Sequence, residues 1–132
     1  MRKSTPKPTV MELAILRVLW ERGRANAREI TDWLNREDPI AHSTVQTLLR
    51  KLEAKGAVGH ETVERTFIFF PRVAEENVRR GATHELVERI FGGSPAQLMS
   101  YLLKHEHVSQ QELEEIRRLV DEQAKKPREG QR

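Results

Sequence analysis

The sequence predicts a mainly α-helical fold that contains one small β-hairpin. Three observations support this prediction. Apolar residues recur at helical spacing in six segments, capping signals precede several of those segments, and strand-like alternation is confined to residues 58–70. A chain of 132 residues is long enough for one domain with a small appendage.

The first helix has clear signals at both ends. Thr9 and Glu12 form a capping box that predicts a helix from Val10 to about Glu21, and Gly23 ends it. Its apolar residues cover more than one face, so we expect it to be largely buried. These residues are Leu13, Ile15, Leu16, Val18, Leu19 and Trp20.

A second capping box, Asn26-Ala27-Arg28-Glu29, predicts a second helix that stops at or before Asp38-Pro39. The third helix, from about Ser43 to Lys55 with Gly56 as its C-terminal cap, shows the clearest pattern. Its apolar residues follow i, i+3, i+4 and i+7, namely Val45, Leu48, Leu49 and Leu52. The outward side of this helix carries Ser43, Thr44, Gln46, Thr47 and Arg50. One face therefore packs on a core, while the other presents hydrogen-bonding side chains.

Two strand-like segments, residues 58–63 and 66–70, come next and are joined at Glu64-Arg65, with Pro71 ending the second. Further helices are predicted over residues 74–91, from Ser94-Pro95 onwards, and after a third capping box at Ser109. These short helices bury little surface alone, so pairing with a second copy is favoured over an intrachain core. The predicted dimerisation residues are Leu86, Ile90, Leu98, Leu102, Leu113, Ile116, Leu119 and Val120.

The order helix, helix, helix, hairpin is typical of a winged helix-turn-helix, whose third helix enters the DNA major groove. The predicted organisation is a flexible basic tail (1–8), a winged-helix DNA-binding domain (9–72), a helical dimerisation region (73–126) and a frayed tail (127–132). Residues 1–72 hold 13 Lys/Arg against 9 Asp/Glu, whereas residues 73–132 hold 10 against 11. Positive charge is thus concentrated in the half that is expected to bind DNA.

Particular side chains have the chemistry for reading DNA. Arg50 is able to pair with a guanine edge, Gln46 with an adenine edge, and the Thr47 methyl with a thymine methyl. Arg65 at the hairpin tip is placed to reach a phosphate or the minor groove, and Arg28 at the start of the second helix is placed to hold a phosphate. For His42, capping of the third helix and phosphate contact stay equally open. The predicted DNA-binding set is Arg28, His42, Ser43, Thr44, Gln46, Thr47, Arg50 and Arg65, and a solvated polar surface is the alternative.

The composition argues against several other classes of protein. The absence of cysteine excludes disulfides, thiol catalysis and Cys-based metal sites. No Ser/His/Asp set, glycine-rich phosphate loop or carboxylate pair stands out, so no enzyme activity and no cofactor are predicted. His105 and His107 are two residues apart and do not share a helix face, so no metal site is predicted. No segment reads as a signal peptide or a membrane span, and we expect a cytoplasmic protein.

Four motifs resemble the BlaI/MecI penicillinase-repressor family, which also includes CopY-type copper regulators. They are PTVMELAILRVLW at residues 8–20, AREI at 27–30, STVQTLLRKLEAKG at 43–56 and FGGSP at 91–95. The resemblance covers about residues 8–122. It implies a winged helix with a helical dimerisation region and a homodimer that represses transcription from palindromic operators, often with TACA/TGTA half-sites.

The resemblance also implies how repression ends. In family members beside β-lactam genes, a membrane-bound sensor metalloprotease cuts the dimerisation helices at an Asn-Phe bond. Alignment of the motifs places that bond near Tyr101-Leu102, but this chain contains no Asn-Phe. CopY-type members release DNA through a Cys-rich tail, which is absent here. Two alternatives therefore stay open: a repressor released by a small ligand, and a winged helix that serves only as a protein-interaction module.

Overall fold

A computed structural model describes residues 7–127 and confirms a mainly helical chain with a small antiparallel sheet. The helices are α1 (Val10–Arg22), α2 (Ala27–Leu34), α3 (His42–Ala54), α4 (Glu75–Ile90), α5 (Pro95–His105) and α6 (Gln110–Lys125). The strands are β1 (Ala25–Asn26), β2 (Val58–Val63) and β3 (Thr66–Pro71). The predicted tails lie almost entirely outside the described residues.

The sheet contains one strand that the sequence did not predict. Its order is β1-β3-β2, and all its pairings are antiparallel. β1 has two residues, too few to show alternation, and it forms because Ala25 pairs with Phe69 on β3. The second strand segment extends one residue beyond the predicted Phe70, because Pro71, which was predicted to end it, is the last residue of β3 and pairs with Val58.

The predicted capping signals operate as expected. Thr9, Asn26 and Ser109 each accept a hydrogen bond from the backbone N–H three residues later. In each capping box, the glutamate at that later position accepts a hydrogen bond from the backbone N–H of the capping residue. At the end of α3, Gly56 has φ +82°, and the Ala57 N–H donates to the Leu52 carbonyl over 2.9 Å. This Schellman arrangement satisfies the last carbonyls of the helix.

One hydrophobic core joins α1, α2, α3 and the sheet. It consists of Ile15, Leu16, Val18, Leu19, Ala25, Ile30, Val45, Leu49, Leu52, Ala57, Val58 and Phe69. Three of the four predicted α3 stripe residues are fully buried, and Leu48 is half-buried against the same core. Because these residues hold one face of α3, the rotation of the helix about its axis is set by the core.

A buried ion pair joins the start of α1 to the end of α3. Glu12 is 1% exposed, and its carboxylate accepts hydrogen bonds from the Thr9 N–H at 3.0 Å and from the Lys55 ammonium at 2.5 Å. Burial raises the pKa of the Glu12 carboxyl, but the hydrogen bonds from Lys55 and Thr9 outweigh it and hold that pKa below its usual range.

The chain divides into two compact units after Leu86, within α4. The first unit therefore extends beyond the predicted boundary between residues 72 and 73. Within it, the Trp20 indole N–H donates to the Val73 carbonyl at 2.9 Å, and Val78 of α4 is buried. Within the second unit, the rings of Phe91 and Tyr101 lie 5.6 Å apart.

Candidate nucleic-acid interface

The outward side of α3 is available to a ligand. Ser43, Thr44, Gln46, Thr47 and Arg50 are all exposed, as their positions opposite the buried stripe require. Within residues 7–127, the only side-chain hydrogen bond among these five residues is donated by the Arg50 guanidinium to the Thr47 hydroxyl at 3.3 Å. A helix that is anchored by its apolar face and polar on the other has the shape required for insertion into a major groove.

A groove of about 550 Å³ lies between the start of α2, the outward side of α3 and the β2–β3 hairpin. Five residues of the predicted DNA-binding set line it together: Arg28, His42, Gln46, Arg50 and Arg65. Ser43, Thr44 and Thr47 are exposed on α3 but do not line the groove. The fold thus brings together residues that are up to 37 positions apart in the sequence.

The side chains that line the groove carry a net positive charge. Within the described part of the chain, Arg28, Arg50 and Arg65 form no ion pair. Three guanidinium groups with free donors around one concave surface suit a polyanion, because each can neutralise a phosphate. The only carboxylate in the lining is that of Glu53.

The hairpin tip has an unusual backbone. Glu64 and Arg65 both adopt positive φ, at +49° and +68°. Two consecutive left-handed residues between paired strands match a type I′ turn, whose twist suits an antiparallel hairpin but which usually contains Asn or Gly. The predicted joint at these residues is confirmed by the ladder, in which Val63 pairs with Thr66.

His42 does not cap α3, so that half of the prediction was wrong. The N-cap is Ala41, which makes no side-chain capping bond, and His42 is the first helical residue. The Nδ1 atom of its ring instead lies 3.0 Å from the hydroxyl of Thr31 on α2. The ring remains half-buried at the groove.

Glu53 and the aromatic side of the groove were not predicted from the sequence. Glu53 follows Gln46 and Arg50 at helical spacing, a signal that would have placed it in the lining. Its carboxylate lies 2.7 Å from Nδ1 of His60, and the His60 ring stacks on Phe67 with centroids 3.9 Å apart. Phe67 is 49% exposed, so the groove has an apolar wall beside its cationic one.

Apolar side chains remain exposed on α4, α5 and α6. Leu86, Leu102 and Leu113 are each 37% exposed, Ile90 67%, Leu119 47% and Val120 57%, while Leu98 and Ile116 are half-buried. Single exposed apolar residues are normal on protein surfaces, but this many on three helices are typical of an interaction surface. The Tyr101-Leu102 bond lies inside α5, where the Tyr101 ring also contacts His105 at 4.2 Å.

Other kinds of site find little support in the part of the chain that the structure describes. No three His, Asp or Glu side chains converge as a metal site between residues 7 and 127. Over the same range, no helix is both long enough and apolar enough to cross a bilayer.

Comparison with known proteins gives consistent matches. The family model described as penicillinase repressor matches residues 8–122. The penicillinase repressor of Bacillus licheniformis is 24% identical over 96% of this chain and 99% of its own length. The methicillin resistance regulatory protein MecI of Staphylococcus aureus (strain N315) is 21% identical over 92% of this chain and 98% of its own. The solution structure of the DNA-binding domain of the repressor BlaI is 29% identical, covers 58% of this chain and 93% of its own, and has a TM-score of 0.51.

Proposed function

This chain belongs to the penicillinase repressor family, and from that membership we propose that it represses transcription by binding a palindromic operator as a homodimer. The family is one of DNA-binding transcriptional repressors and not of enzymes. The observation that carries the proposal is the groove where Arg28, Arg50 and Arg65 converge without carboxylate partners among residues 7–127.

In the proposed complex, α3 lies in the major groove and the hairpin lies along the backbone. Arg50 and Gln46 reach base edges from the middle of α3, and Thr47 packs on a thymine methyl. Ser43 and Thr44, near the start of α3, bond to a base edge or a phosphate. Arg28 and Arg65 contact the phosphates on either side of α3. These contacts set the orientation of the protein on the DNA and do not contribute to sequence preference.

We propose that the exposed apolar residues of α4, α5 and α6 pair with those of a second copy. Their burial in a dimer removes apolar surface from water, which is the usual driving force for homodimer association. Two winged domains joined in this way contact two half-sites spaced about one helical turn or a multiple apart. The second contact becomes effectively intramolecular and raises affinity by roughly 10²–10⁴. Because its ligand is chromosomal DNA, we place the protein in the cytoplasm.

Release from DNA is proposed to act through loss of this avidity. A membrane-bound sensor metalloprotease is the partner that family membership suggests, and the bond concerned is near Tyr101-Leu102. Because that bond lies within α5, cleavage requires local unwinding of the helix. Release by a small ligand requires no unwinding. A neighbouring gene for a membrane metallopeptidase would favour the protease.

The experiment that tests the proposal is binding of the full chain to the DNA upstream of its own gene, with a scrambled fragment of equal length as control. We expect preference for the upstream DNA, steep weakening with salt, and two chains per operator in sedimentation or mass measurements. Equal binding to both fragments, or no salt dependence, would contradict the proposal and favour a protein-interaction module.

A further inference from the structure

The hydroxyl of Thr31 links α2 to the first residue of α3. Thr31 is 2% exposed, and its Oγ1 lies 2.8 Å from the Ala27 carbonyl oxygen and 3.0 Å from Nδ1 of His42. Since the Thr31 side chain is buried in the winged domain, its hydroxyl is expected to bond to protein groups. The hydrogen atoms in this small network can therefore be assigned by counting donors.

A threonine hydroxyl has one hydrogen to donate, and a carbonyl oxygen can only accept. The contact between Thr31 and Ala27 is favourable only if the hydroxyl donates to the carbonyl, because otherwise two oxygen atoms face each other at 2.8 Å without a hydrogen. The hydroxyl then has only lone pairs for His42. Nδ1 of His42 must therefore carry a hydrogen and donate it to Thr31.

This assignment determines what the other ring nitrogen offers. A neutral imidazole with its hydrogen on Nδ1 has a lone pair on Nε2, and Nε2 has no partner within the described residues. The ring lies in the groove lining with the charged groups Arg28, Arg50, Arg65 and Glu53. Three of these four are cationic, and His42 is the first residue of α3.

We propose that His42 is a base-reading residue whose Nε2 accepts a hydrogen bond from the exocyclic amine of an adenine or a cytosine, and that Thr31 is its positioning residue. Phosphate oxygens only accept, so a neutral ring held in this tautomer cannot pair with them. The donors that the major groove presents are the N6 amine of adenine and the N4 amine of cytosine. The inference rests on the proposed function, because it assigns a role within the same DNA interface.

The first test compares operator affinity of the full-length protein and His42→Phe at pH 8. At pH 8 we expect the variant to bind about five- to tenfold more weakly, the value of one hydrogen bond. Using the ratio of the two proteins removes contributions from His60 and the other histidines.

Opposite results would overturn the proposal. Equal loss of affinity of His42→Phe on the operator and on random DNA would mean that His42 contacts a phosphate and not a base. A ratio of one at pH 8 would mean that His42 does not touch DNA. Replacing the contacted adenine by purine, which lacks the N6 amine, should weaken binding of the natural protein but not of His42→Phe.

The second test addresses Thr31 through a double-mutant cycle. Thr31→Val keeps the shape but removes the acceptor for Nδ1, whereas Thr31→Ser retains a hydroxyl and should preserve affinity. In the His42→Phe background, Thr31→Val should cause no further loss of operator affinity, since Thr31 affects binding only through the His42 ring. Nitrogen-15 spectra of the imidazole should show hydrogen on Nδ1 in the natural protein and not in Thr31→Val. Additive losses, or hydrogen on Nε2 in the natural protein, would refute the positioning role.

These outcomes are separable from failure of the proposed function. If the natural protein shows no preference for operator DNA at pH 8, the proposed function fails and the binding comparisons do not apply. The nitrogen spectra still report the tautomer in that case, because they need no DNA. If operator preference is present but insensitive to His42, only the further inference fails.

Discussion

Replacing either residue of the hairpin turn by glycine should stabilise the fold, yet the two replacements should change DNA binding in opposite directions. Glu64 and Arg65 have φ values of +49° and +68°. The left-handed conformation costs a non-glycine residue about 1–2 kcal/mol, and the greater freedom of glycine in the unfolded chain offsets about 0.4–1 kcal/mol of the relief. Each variant should therefore be more stable by about 0.5–1 kcal/mol.

The effects on DNA binding follow from charge. Arg65→Gly removes a phosphate contact, so binding to operator and random DNA should weaken alike. The slope of log affinity against log salt should become shallower by about 0.9 per subunit. Glu64→Gly removes a carboxylate that the proposed complex places near the DNA phosphates. This variant should strengthen binding without making that slope shallower. The two variants control for each other, since both relax the turn.

Urea denaturation monitored by tryptophan fluorescence measures stability, and fluorescence anisotropy at several salt concentrations measures binding. If Arg65→Gly leaves the salt slope unchanged, the hairpin tip does not contact DNA. If neither variant is stabilised, the turn is not strained and the energetic argument from φ fails.

Three further outcomes are expected. Arg50→Ala should weaken binding to the operator by about 1–3 kcal/mol and binding to random DNA by much less, with Arg17→Ala at an exposed position as a matched control. Equal losses of binding free energy on both DNAs would mean that Arg50 contacts only a phosphate. Glu12→Gln should destabilise the fold at pH 7 by about 2 kcal/mol, below the value for a fully enclosed pair because the Lys55 side chain is 35% exposed. Because the pKa of Glu12 is lower in the fold than in the unfolded chain, this stabilisation is present above the unfolded pKa of about 4.3. It is lost as the pH falls below that value and through the folded pKa, so the denaturation curves of the two proteins should converge at acidic pH. A fragment of residues 1–101 should be monomeric and bind the operator roughly 10²–10⁴-fold more weakly, and a dimeric or tightly binding fragment would refute release by avidity loss.

The local features of the fold were predictable from the sequence. The capping boxes at Thr9, Asn26 and Ser109 marked helix starts, because each depends on contacts within three residues. The stripe on α3 predicted which side of that helix is buried, and the outward set follows from the helical period alone. The turn at Glu64-Arg65 was visible as a break between two alternating segments.

Contacts between distant segments decided the rest. β1 exists because Ala25 meets Phe69, a pairing that neither segment signals alone. The groove required α2, α3 and the hairpin to converge, which added Glu53 and Phe67 to the interface. His42 was recognised as a candidate from its place before the α3 stripe. Its tautomer depends on a hydroxyl of α2, eleven residues away in the sequence, that only packing brings within 3.0 Å. The sequence alone thus determined the local elements and the chemistry they present, because period and capping act over a few residues. Only the tertiary structure determined which of those groups share a surface and which ring nitrogen faces it.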